Sequence, residues 1–151
     1  MSGFAPIVER LKLMLEGEDE PVAIMATVAC ELHHGVEFLS WTGFYRTTAP
    51  ELLTVGPYQG GHGCLRIPFR RGVCGAAART QQTQLVDDVE QFPGHIACST
   101  STRSELVVPI VHLGRTIAVL DLDSDDQAAF SEADARCLEA FCAWLAPRLD
   151  P

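Results

Sequence analysis

The chain has 151 residues, 47% apolar and 21% charged, a mixture that excludes intrinsic disorder and suits one domain whose core needs no disulfide staples. Eleven Lys and Arg against twenty Asp and Glu leave a formal charge of −9, which argues against nucleic acid or an anionic membrane surface as partner. No apolar run approaches the ~20 residues of a membrane span, and the first twenty residues lack a basic segment followed by an apolar one, so a cytoplasmic protein is expected.

Phe4, Ile7, Val8, Leu11, Met14 and Leu15 recur every three or four residues and predict an amphipathic helix, punctuated by Gly17. Pro21 suits the first turn of a second helix, with Asp19 or Glu20 ahead of it. Ile24, Met25, Val28, Ala29 and Leu32 form its buried face, and Cys30 lies beside that stripe as a packing residue. From Val36 the period changes. Residues 38–45 are aromatic and β-prone and predict a strand, Ala49-Pro50 a turn, and residues 52–58 the second arm of a hairpin. A glycine-rich loop at 59–63 precedes a short third strand at 65–68, and Gly72-Val73-Cys74-Gly75 opens a short helix reaching Arg79. Leu85 and Val86 suggest a brief extended piece, followed by a long irregular stretch, of the kind that is usually functional or mobile. Residues 106–111 and 116–123 predict two strands around Leu113-Gly114-Arg115. Ser131 and Asp134 predict a helix cap, and Leu138, Phe141, Cys142 and Leu145 the inward face of a last helix that Pro147 should close. Cys137 and Cys142 read as packing residues of that helix. The order predicts an α+β domain with a central, mostly antiparallel sheet and helices packed on it, the N-terminal helices within 4–33 and a core within 36–146.

Six cysteines in a reducing compartment are not a disulfide framework. Cys64, Cys74 and Cys98 lie beside glycines or in loops rather than on an apolar stripe. The helix N-terminus at Cys74 would favour its thiolate. With His62 or His95 the three could form a Cys₃His zinc site, although no Cys-x₂-Cys pair exists. They could instead do thiol redox chemistry, in which one sulfur becomes a sulfenic acid and another condenses with it to a disulfide.

Leu120-Asp121-Leu122-Asp123 alternates, so in a strand both aspartates share a face. Glu105, opening the preceding strand, could join them. The plain alternative is a solvated polar face. Clustered carboxylates disfavour joint ionisation, and one kept protonated could donate to a developing oxyanion while the others hold a cation such as an ammonium. Trp41, Phe44 and Tyr45 could supply aromatic walls or simple core.

These residues resemble a known family. Residues 40–45 (Ser-Trp-Thr-Gly-Phe-Tyr), 64–68 (Cys-Leu-Arg-Ile-Pro), 72–75 (Gly-Val-Cys-Gly), 92–98 (Phe-Pro-Gly-His-Ile-Ala-Cys), 104–109 (Ser-Glu-Leu-Val-Val-Pro) and 120–124 (Leu-Asp-Leu-Asp-Ser) look like the ordered motifs of the free methionine-(R)-sulfoxide reductases, which are built on a GAF domain. The resemblance implies a GAF fold with a small pocket closed by the cysteine loop, and reduction of free L-methionine-(R)-sulfoxide. It implies that Cys98 attacks, that Cys64 forms the disulfide with it, and that Cys74 is the third cysteine, which attacks or relays in some members. Glu105, Asp121 and Asp123 match the acidic residues around the substrate; Trp41 and Tyr45 match the aromatic part. Thioredoxin is the implied reductant, a homodimer the implied assembly, and no metal or organic cofactor is implied. The chain departs from the pattern at Arg70, Ser99 and Arg103. Arg103 would lower the carboxylate pKa values if it pointed inward. The rival reading is a non-catalytic GAF sensor, which needs a pocket but not three spaced cysteines. A sensor would also have an output domain, for which the residues after Pro147 leave no room.

Overall fold

A computed structural model describes residues 1–150. Two helices, α1 (Ala5–Met14) and α2 (Pro21–Gly35), lead into a hairpin of β1 (Leu39–Ala49) and β2 (Leu52–Gln59). Then come β3 (Arg66–Pro68), α3 (Gly72–Thr80), β4 (Gln84–Val86) and a single 3₁₀ turn, Val89–Gln91. A second hairpin, β5 (Ser104–His112) and β6 (Arg115–Ser124), precedes α4 (Glu132–Leu149). The strands form one sheet in the order β3-β2-β1-β6-β5-β4, every neighbouring pair antiparallel, so the predicted α+β arrangement holds.

Alternation along the strands divides the molecule into two layers. Phe44, Leu106, Val108, Leu120 and Leu122 face α1, α2 and α4 in the larger core. Trp41, Tyr45, Val107 and Val119 face the other way, toward α3 and β3. The helical side is fixed by caps the sequence announces. Glu20 accepts from the Ala23 N–H at 2.7 Å and Pro21 follows it, as predicted. Ser131 accepts from Asp134 N at 3.1 Å, and the Asp134 carboxylate accepts in return from Ser131 N at 2.9 Å. That carboxylate also accepts from the Ser2 hydroxyl at 2.6 Å, which fastens the start of the chain to α4.

Two expectations fail. Met14 is 51% exposed, because Phe4, Ile7, Val8, Leu11 and Leu15 already complete the buried stripe and Met14 falls on its flank. Pro147 does not close the last helix; α4 runs on to Leu149. Proline there removes one N–H in the final turn only, and Arg148 donates to the Trp144 carbonyl at 2.6 Å while lying 3.7 Å from the Trp144 ring centre. Among the described residues, no helix is long and apolar enough to cross a membrane.

Candidate functional site

The acidic residues meet because of strand register. Glu105 on β5 pairs with Asp123 on β6, and Val107 with Asp121, so alternation puts all three carboxyls on the α3 side. On β1, Trp41 pairs with Asp123 and Gly43 with Asp121. The solvated-face alternative is therefore excluded: Glu105 and Asp121 are 6% and 4% exposed. A Cβ on Gly43 would lie 2.7 Å from the Trp41 ring and collide with Tyr58, so glycine is what lets the indole fold over the sheet. Trp41 stacks between Tyr45 and Tyr58, with ring centres 5.7 and 5.0 Å away, and its Nε1 donates to the Gly61 carbonyl at 2.8 Å.

The cysteines arrive from three elements. Cys64, before β3, is disulfide-bonded to Cys98 in the long loop, with Cα atoms 5.4 Å apart. The loop is pinned near the start of α3, where Gly72 N donates to the Gly94 carbonyl at 3.2 Å. Gly72 sits at φ +71°, a left-handed conformation that a side chain would strain, and a Cβ there would press on Ile96. Cys74 is buried on the first turn of α3, its Sγ 4.0 Å from Glu105 Oε2. With Cys64 and Cys98 bonded to each other, the Cys₃His zinc arrangement is not formed here.

Burial dominates the electrostatics. It raises Glu105 and Asp123 well above the ordinary carboxyl range, and the neighbouring Asp121 charge raises both further. Burial also raises Asp121, and its polar neighbours Glu105, Asp123 and Cys74 oppose part of that rise. All three carboxyls are raised together, so the cluster gives up its protons less readily than exposed acids do. The Cys74 thiol is likewise pushed well up by burial, then by Asp121 and Glu105. The expectation that its helix N-terminus favours thiolate is therefore wrong: a half-charge at the end of a nine-residue helix loses to desolvation and like charges. Arg103, Arg70 and Ser99 are all exposed.

Trp41, Tyr45, Cys74, Cys98, Glu105, Asp121 and Asp123 line one cavity, and Cys64 is bonded to its rim. All eight predicted residues are brought together. The sequence reading missed His95 except as a zinc ligand; it lines the same cavity, its pKa lowered by burial against the opposing pull of Asp121. Its place in the cysteine loop, three residues before Cys98, was the available signal. The cavity holds about 50 Å³. That is far below the ~300 Å³ of a ligand cleft. A larger hollow of about 890 Å³ opens near Arg46, Arg79 and Arg115 and contains none of the eight.

Comparison with known proteins gives a consistent result. A family model described as "GAF domain" matches residues 16–149. The free methionine-R-sulfoxide reductase of Saccharomyces cerevisiae is 41% identical over 144 residues, spanning 88% of this chain and 80% of that protein. That of Escherichia coli is 36% identical over 142 residues, spanning 94% and 86%. The solved structure of the free methionine-R-sulfoxide reductase from Neisseria meningitidis, in complex with its substrate, superposes with a TM-score of 0.91 at 39% identity over 95% of this chain and 86% of that one.

Proposed function

Since the chain belongs to the GAF-domain family of free methionine-R-sulfoxide reductases, we propose that it reduces free L-methionine-(R)-sulfoxide to methionine at the cavity beneath the Cys64–Cys98 disulfide. The observation that carries the reading is that bonded pair of cysteines seated over a cavity lined by Glu105, Asp121 and Asp123. A ligand sensor would have no use for the pair.

The cycle starts from the reduced enzyme. The 50 Å³ cavity of the disulfide form is too small for an amino acid, so substrate enters only after the Cys64–Cys98 bond is cleaved and the loop lifts. The Asp121 carboxylate holds the ammonium group. Trp41 and Tyr45 wall the methyl-thioether end. The Cys98 thiolate attacks the sulfoxide sulfur while Glu105, or Asp123, gives its proton to the oxygen. Methionine leaves, and the oxygen remains on Cys98 as sulfenic acid. The Cys64 thiol condenses with it, releasing water and forming the disulfide. Thioredoxin then supplies two electrons by thiol–disulfide exchange, and its own dithiol becomes a disulfide. Cys74, buried and held as thiol, donates to Glu105 Oε2 rather than attacking. No metal or organic cofactor takes part. The enzyme works as a homodimer in the cytoplasm, residues 1–151 forming one domain, and has no dealings with nucleic acid or membranes. A peptide-bonded methionine lacks the ammonium and carries flanking chain, so the substrate is the free amino acid.

The test is NADPH consumption with thioredoxin, thioredoxin reductase and free L-methionine-(R)-sulfoxide. Turnover is expected with the R epimer and not the S epimer, and abolished in Cys98→Ser. Full activity of that variant, or equal rates on both epimers, would overturn the assignment.

A further inference from the structure

The buried cluster has a donor set that suits more than an ammonium ion. Cys74 Sγ, a Glu105 oxygen and an Asp121 oxygen all lie within 4.8 Å of one another, on three buried residues. Asp121 is 4% exposed, lines the cavity, and its Oδ1 has no hydrogen-bond partner; Asp123 Oδ1 beside it has none either. One thiolate with two carboxylates is poor for Mg²⁺ or Ca²⁺, which want oxygen alone, and good for a borderline ion such as Zn²⁺. Tetrahedral Zn–S and Zn–O bonds of ~2.3 and ~2.0 Å place neighbouring donors ~3–4 Å apart, so a contraction of about 1 Å gathers the three.

We propose that Cys74, Glu105 and Asp121 form an inhibitory site for Zn²⁺, with a water in the fourth position facing the cavity. The ion displaces the protons of Cys74 and Glu105 to solvent. No electron is transferred and no covalent bond to substrate is made. The inference rests on the proposed function in one respect: the ion takes the place of the substrate ammonium, so metal and substrate exclude each other. This site differs from a Cys₃His arrangement, because it uses neither sulfur of the disulfide.

The experiment uses Co²⁺ as a spectroscopic probe on the oxidised protein, where Cys64 and Cys98 cannot ligate. It is done in a Cys30→Ser background, since Cys30 Sγ and His34 Nδ1, 3.8 Å apart on α2, could also take a metal. One equivalent of cobalt should give thiolate-to-cobalt charge-transfer and tetrahedral ligand-field bands, which Zn²⁺ abolishes. Cys74→Ser should remove the charge-transfer band, and the isosteric Asp121→Asn should weaken binding at least tenfold. An unchanged spectrum in Cys74→Ser, or unchanged affinity in Asp121→Asn, overturns the proposal. In Cys98→Ser, which cannot form the disulfide, free methionine sulfoxide should lower cobalt affinity in step with its concentration. Cobalt binding indifferent to the sulfoxide overturns the inhibitory role. Absence of turnover by the parent protein, with the cobalt spectrum intact, would instead count against the proposed function.

Discussion

Glu105 faces two aspartates and a thiol in a buried pocket, and its cost and its use come from the same fact. Below the unfolded carboxyl pKa both states are protonated. As pH rises past it, the unfolded chain releases protons that folded Glu105 and Asp123 retain, so stability falls until the folded groups ionise too. Asp123→Asn removes one such group. Its melting temperature should exceed the parent's by a margin that widens as pH rises past the unfolded carboxyl pKa of ~3.9, by roughly 2–4 °C for each kcal/mol. A gap that narrows over that rise would show the cluster to be ionised in the fold. For activity, Glu105→Gln should lower kcat by roughly 10²–10⁴-fold and erase the alkaline fall of the pH–rate profile, since the acid must keep its proton to donate it. Retention of that fall would move the donor's role to Asp123.

Among the elements, β1 carries the most chemistry per residue. Its alternation presents Phe44 to the helices and Trp41 and Tyr45 to the pocket, and Gly43 makes space for the indole. Gly43→Ala should cost about 1–3 kcal/mol by overpacking and raise KM more than it lowers kcat, because it moves the Trp41 wall and not the sulfur. Calorimetry with steady-state kinetics on the one variant checks both. Ser131→Ala should cost about 1 kcal/mol through the cap alone and leave kinetics unchanged. Elements built on local signals were legible in the chain. The α2 stripe, the Glu20 and Ser131 caps, both hairpins and the shared face of Asp121 and Asp123 all follow from spacing of a few residues. What spacing could not supply was non-local. The pairing of β1 with β6 puts Trp41 beside Asp123, and that contact spans some eighty residues. Cys74 was misjudged for the same reason: its helix end is local, but the carboxylates that overrule it come from β5 and β6. The Cys64–Cys98 pairing came from family resemblance, since separation along the chain says nothing about proximity.

At the scale of the whole molecule, the disulfide closes a loop of 34 positions between β2 and β5. On the chain-entropy account such a link is worth ~4 kcal/mol. The reduced protein should therefore melt roughly 10 °C below the oxidised one. Cys64→Ser should melt at the lower temperature with or without a dithiol. Equal melting of the two redox forms would mean that the loop stays docked without its bond. The sheet around this loop ends on both sides in strands of only three residues, β3 and β4. Next to β3, the longer β2 slips register by one residue opposite Phe44, and there Pro57 lacks an amide hydrogen. In the proposed cycle, each turnover unfastens the segment that abuts this border. A straight, fully hydrogen-bonding ribbon exposed there would invite a neighbouring copy to zip onto it and seed fibrils; a kinked one with a missing donor does not, so the catalyst can be opened many times in a crowded solution without polymerising.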